Sequence, residues 1–169
     1  MKQIYCTAAL SALLLMACTK HNENNDLNSV DYQFLQQVSR YNKAEIAMGE
    51  LATTKSSNAS VASLAQNMVV DYTGTQTELE GQASYLQVAL LDSLNIGSRN
   101  TTNSLESFSG YQFDTAYLHS RVRAHQMMLA VYQKTFNEGN NASIKGFVHR
   151  HIDLVKDNYL RADSLVRRL

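Results

Sequence analysis

Glu45, Tyr72, His125 and, on the last helix, Asn158 or His151 are the residues whose chemistry first needs an explanation. Each falls where a helix of this sequence should turn an apolar side chain inward. Glutamate and histidine on facing helices are the raw material of a metal centre, to which Tyr72 and Asn158 would add only poor ligands. A carboxylate-bridged di-iron bundle, however, places Glu and His three residues apart on one helix. The residues three positions before the histidines are Cys18, Ala116, Val122, Gly146 and Val148, so that motif is absent. His149 and His151 lie about 200° apart around a helix and cannot chelate together. The competing explanation is a hydrogen-bonded network that satisfies buried polar groups and fixes helix register. The expectation is therefore no cofactor, with iron, zinc or manganese at Glu45 and His125 as the alternative. Neither a glycine-rich phosphate loop nor Gly-x-Ser-x-Gly occurs, and a non-enzymatic role is expected.

The cysteines point to the cell envelope. Met1-Lys2 precedes an apolar run that ends Leu15-Met16-Ala17-Cys18, too short to span a bilayer and suited to a signal peptide. Leu-Met-Ala-Cys resembles the lipobox of bacterial lipoproteins, in which the cysteine is acylated and becomes the first residue. An ordinary secretory signal with an incidental cysteine is the other reading. On the first, residues 1–17 are removed, Cys18 carries the lipid, and the membrane is the partner. Thr19 in place of aspartate leans toward the outer membrane, facing periplasm or cell surface. Cys6 leaves with the signal, so the mature domain has no thiol for a disulfide or a nucleophile. Residues 18–28 are almost wholly polar and read as a tether.

The remaining residues, 29–169, must position the polar four. Ser29 is a plausible N-cap for a first helix whose inner stripe is Phe34, Val38, Tyr41, Glu45, Met48 and Ala52, at steps of four and three. A second stripe runs Val61, Ala65, Met68, Tyr72, Thr75, Leu79, Ala83, Leu86 and Leu90. Gly74 and Gly81 weaken that helix, by about 2 kcal/mol with Thr73 and Thr75, and leave a kink or a break open. A third has Asp114, Leu118, Val122, His125, Leu129, Tyr132 and Phe136. The fourth has Ile144, Val148, His151, Val155, Asn158, Ala162, Leu165 and Leu169. The chain has no proline, and this pattern predicts an all-α four-helix bundle. Residues 92–110 form a long polar link with room for one helical turn at Leu105 to Phe108. About 19 extended residues reach roughly 60 Å, more than the roughly 50 Å of a 33-residue helix, so the link can run back along the whole bundle or fold up at one end.

Charge is balanced overall but divided. From Cys18 to Gly110 there are five Lys/Arg and ten Asp/Glu, and from Tyr111 to Leu169 nine and five. Scattered basic residues in an exported chain do not make a nucleic-acid site, whereas two oppositely charged halves attract each other within one domain.

A set of motifs in order resembles bacterial domain-of-unknown-function family 4142. These are Asp31-x-x-Phe34-Leu35, Glu45-x-x-x-Gly49-x-Leu51-Ala52, Val61-x-x-Leu64-Ala65-x-x-Met68-Val69-x-Asp71, Ser109-Gly110-x-x-Phe113-Asp114-x-x-Tyr117, and His125. The resemblance implies a ferritin-like bundle with a helix 2–helix 3 crossover and an envelope location, but no settled activity. Tyr72 and Asn158 stand where that family usually has histidines, so its inner Glu/His set is kept only at Glu45 and His125.

Overall fold

The computed structural model describes residues 26–93 and 96–169. The signal segment, Cys18 and the tether up to residue 25 lie outside the described residues. Five helices occur among those described: α1 Ser29–Lys55, α2 Ala59–Tyr85, α3 Ile96–Glu106, α4 Gly110–Glu138 and α5 Ala142–Val166. The four long ones are the four read from periodicity, and α3 lies within the link.

Asparagines set three of the starts. The Asn28 side chain accepts from the backbone N–H groups of Val30 and Asp31, and Asp31 returns a bond to the Asn28 N–H, completing a capping box. The cap is therefore one residue before the expected Ser29. Asn58 and Asn141 cap α2 and α5 in the same way.

Helix α2 is continuous through Gly74, so it is not broken into two helices. It ends at Tyr85, short of Leu86 and Leu90. There Gln87 takes a positive φ of 56°, and the N–H groups of Gln87 and Val88 bond back to Ser84 and Ala83. This Schellman closure satisfies the last carbonyls without the glycine that would have announced it. Gly49 has a different duty. A Cβ on it would lie 2.6 Å from Val69 Cγ2 and 3.1 Å from the Ala65 carbonyl oxygen, so α1 and α2 meet backbone to backbone there.

The topology follows from the ends. The start of α1 meets the α4–α5 turn, where Asp31 accepts from the N–H groups of Asn140 and Asn141 at 2.9 and 3.0 Å. Its far end meets the start of α4, where Asp114 accepts from Ser56 and Ser57 at 2.5 and 2.8 Å. Helix α1 is thus antiparallel to both α2 and α4, which makes α2 and α4 parallel, and the link between them must cross the full length. It does so along α1. Gln36 bonds the backbone of Ala89 and Leu91, Lys43 pairs with Asp92 at 2.6 Å, and Lys55 donates to the Glu106 carbonyl. The bundle is therefore of the crossover, ferritin-like kind.

Two apolar clusters make the core. One gathers Met48, Val61, Met68, Phe113 and Leu118 toward the α1–α2 turn; the other gathers Phe34, Leu35, Leu79, Phe147 and Val148 toward the opposite end. The polar residues lie between them. One face differs from the sequence reading: α4 buries Leu118, Arg121, His125, Met128 and Tyr132, whereas Phe136 is 48% exposed. Its inner stripe is rotated so that Arg121 takes the place expected for Val122.

Candidate functional site

Glu45 and Arg121 are each 1% exposed, and Arg121 Nη1 donates to Glu45 Oε1 at 2.5 Å. The other terminal nitrogen of Arg121 reaches Met48 Sδ at 2.8 Å, and the guanidinium lies 5.6 Å from the Tyr117 ring centroid. Burial opposes the guanidinium charge, but the adjacent Glu45 carboxylate outweighs it and holds the Arg121 pKa above its ordinary value.

One turn further along α4, His125 is fully buried. Its Nδ1 lies 2.8 Å from the Arg121 carbonyl, which can only accept, so Nδ1 carries the proton. Nε2 then accepts from the Tyr72 hydroxyl at 2.8 Å. The imidazole is neutral in this arrangement, and burial lowers its pKa despite the opposing pull of Glu45. Tyr41 packs edge-on against both rings, with centroids 5.6 Å from Tyr72 and 5.7 Å from His125. Burial first, then the Glu45 charge, raises the Tyr41 and Tyr72 phenols well above their usual range.

The structure thus brings Glu45, Tyr72 and His125 into one layer. Asn158 is buried beside it and donates to Asp71 Oδ2 at 3.0 Å. His151 lies apart, near the α2–α5 surface, where its Nε2 meets Glu78 Oε2 at 2.8 Å and Arg150 joins the same carboxylate. As arranged, the layer does not fit iron, zinc or manganese. Both nitrogens of His125 are engaged, Glu45 already answers a fixed cation, and among the described residues no group of three or more His, Cys, Asp or Glu is placed to hold a metal ion.

Sequence reasoning missed Arg121. The signal was available: a lone carboxylate on an inner stripe requires a cation, and Arg121 sits four residues before His125 on the same face.

Beside the layer, a cavity of about 710 Å³ opens between α1, α3 and α4. Arg40, Tyr41 and Glu45 form its α1 wall, Met127 and Met128 part of its α4 wall, and Leu105 and Phe108 part of its roof. Seven buried side-chain polar atoms among the described residues lack a hydrogen-bond partner, and three of them belong to this wall: Arg40 Nε, Tyr41 Oη and Glu45 Oε2. The Tyr41 hydroxyl adjoins that of Tyr72 without an aligned bond. Among the described residues, Glu45 is the one carboxylate in the cavity lining and is spent on Arg121, while Arg40 and Arg123 take part in no ion pair.

Residues 16–165 match the family described as Domain of unknown function (DUF4142). The chain belongs to that family. Its motif residues are now seen to build the DUF4142 fold here. Asp31 and Asp114 tie the two ends, Gly49 permits close approach of α1 and α2, and Asp71 holds Asn158. No curated protein matches the sequence. Among solved structures, a DUF305 fragment from Deinococcus radiodurans is similar over 85% of this chain and 99% of its own, at 12% identity and a TM-score of 0.76. CopM is similar in its silver-bound form, with a TM-score of 0.68, and in its copper(II)-bound form, with 0.66. Each covers 82% of this chain and 96% of its own at 14% identity. At such identities the likeness is one of fold.

Proposed function

We propose that the protein is an envelope-anchored, non-enzymatic binding module that holds a small molecule in the cavity between α1, α3 and α4. The observation that carries this reading is the cavity itself, about 710 Å³ and large enough for a ligand, walled by Leu105, Phe108, Met127 and Met128 with Arg40 and Arg123 among its polar lining. Reactive groups do not support an enzyme: the neutral His125 is closed off by Tyr72 and the Arg121 carbonyl. The test is native mass spectrometry of the full chain taken gently from its own envelope, beside Ala124→Phe, which adds a ring to the cavity wall. A bound small molecule that is lost in the variant is expected. The same bare mass for both would overturn the reading.

The anchor is proposed to be lipid on Cys18, placing the bundle at the outer membrane on a short tether. Incorporation of labelled palmitate into the wild-type chain, absent from Cys18→Ala, is the expected result. A wild-type chain that takes up no label would end that part of the proposal.

A second reading, metal handling, is favoured by the likeness to CopM, whose structures are silver- and copper(II)-bound. It requires the Glu45 and His125 layer to open. Elemental analysis after purification with iron, zinc, manganese or copper tests it. Stoichiometric metal that disappears in a Glu45→Ala, His125→Ala double variant would displace the small-molecule reading.

A further inference from the structure

We infer that the bundle rests on the lipid surface by the end at which α1 starts, with the apolar turn of residues 85–91 set among the headgroups. This rests on the Cys18 anchor proposed above and adds the face that meets the bilayer.

Reach comes first. Eight chain steps separate Cys18 from Asp26, and at about 3.5 Å each they span at most about 28 Å. Helix α1 alone, at 27 residues, is about 40 Å long. The end at which α1 starts is thus held near the lipid that carries the anchor. Helix α2 runs antiparallel to α1, so its last residue and the turn after it lie at this same end. There Gln82 donates to Ser143, at the start of α5.

Composition comes second. Residues 85–91 read Tyr-Leu-Gln-Val-Ala-Leu-Leu, apolar at every position but Gln87 and without a charge. Such a run suits a core, yet none of its residues is fully buried. Leu86, Val88 and Leu90 are half-buried against the apolar cluster at that end, whereas Tyr85 is 78% and Leu91 45% exposed. Tyr32, one turn before Gln36 on α1, adds a half-exposed ring beside them. A turn that faces only water is ordinarily polar. An apolar turn flanked by tyrosines suits the boundary between headgroups and acyl chains.

The backbone comes third. Leaving water is costly for peptide groups that have no internal partner. Here the N–H groups of Leu86, Gln87 and Val88 donate to the carbonyls of Gln82, Ser84 and Ala83. The Gln36 amide closes the far side of the turn, donating to the Ala89 carbonyl and accepting from the Leu91 N–H, both at 2.8 Å. The turn therefore offers side chains to the lipid with much of its backbone already satisfied. It contains no Lys or Arg, so its attachment is apolar and needs no anionic lipid.

The chain has no tryptophan, so one introduced by substitution is a unique reporter. The test places Leu91→Trp, in the full-length lipidated chain, in vesicles of phosphatidylethanolamine and phosphatidylcholine brominated on its acyl chains. Its emission should shift to the blue and be quenched by the bromines. Tyr111→Trp, exposed at the opposite end of the bundle, should keep its emission. Adding Tyr85→Glu to Leu91→Trp should weaken the quenching, and replacing part of the lipid with phosphatidylglycerol should leave it unchanged. Helical circular dichroism checks each variant, and Tyr85→Trp serves as the reporter if Leu91→Trp does not fold. No quenching at the turn, or equal quenching at Tyr111→Trp, would overturn the inference. So would a blue shift that follows protein concentration without lipid, which would assign the face to a second copy of the chain. A chain that takes up palmitate but shows no quenching loses the docking face and keeps the anchor. If no palmitate is taken up, the anchor falls. Quenching of the same chain mixed with vesicles would then uphold the docking face alone, and its absence would end both.

Discussion

The Glu45–Arg121 pair offers the sharpest test of the core. Both side chains are 1% exposed, and each is the other's charge partner. Replacing Glu45 by Leu strands a guanidinium in an apolar interior; replacing Arg121 by Met strands a carboxylate whose Oε2 already lacks a protein partner. Each single variant should lose about 3–5 kcal/mol, because the desolvation cost stays while the attraction goes. For a domain of this size that lowers the midpoint by roughly 10 °C or more. The double variant, Glu45→Leu with Arg121→Met, removes both charges and leaves side chains of fitting size against Met48 and Tyr117. It should fall within about 2 kcal/mol of the wild type, so the coupling in the cycle is about 4 kcal/mol or more. Urea unfolding followed by helical circular dichroism reads all four proteins. Single variants within 1 kcal/mol of the wild type, or a double variant that loses the sum of the two, would refute the claim that the pair is buried and mutually compensating.

Three other outcomes follow from the same layer and its supports. His125 has a lowered pKa in the fold, so as pH falls from about 7 toward 5 the unfolded chain takes up a proton that the native one refuses. Its contribution is complete above about 6.5 and lost below it, and thermal midpoints should drop over that range with a shallower slope in His125→Gln. Tyr72→Phe leaves His125 Nε2 without its donor and should cost about 1–3 kcal/mol by chemical denaturation; an unchanged midpoint would show that the bond is idle. Gly49→Ala forces its Cβ into Val69 and the Ala65 carbonyl, and a loss of about 1–3 kcal/mol is expected, measured by thermal melting.

Most of the bundle was legible because apolar side chains on α1, α2 and α5 recur at four and three, and packing obeyed the pattern. Phe34, Val38, Glu45, Met48 and Ala52 are all buried as read. On α4 two stripes competed. Val122, Leu129 and Phe136 are more apolar than Arg121 and Met128, but the deciding interaction, Glu45, lies 76 residues away and carries no local signal. The crossover helix was underestimated for another reason. Ile96–Glu106 is rich in Ser, Thr and Asn, which favour caps and turns when alone. Here Thr101, Thr102 and Ser104 bond carbonyls one turn back, and Leu105 and the Lys55 contact dock the helix. The cavity wall was half visible. Glu45 and Tyr41 stood on the inner stripe, but only the fold shows that they share a cavity wall with Arg40.

The crossover also orders the route by which the chain reaches this state. Helices α1 with α2, and α4 with α5, are neighbours in sequence and in space, so each hairpin can close early at small loop entropy. Joining them brings Glu45 to Arg121 and expels water from both in the same event. A docking shifted by one heptad would bury two uncompensated charges, so the ion pair disfavours misregistered packings of the two hairpins. The bonds of Gln36, Lys43 and Lys55 to the crossover need only α1, so the cavity roof is tied to the wall that carries Glu45 independently of α4.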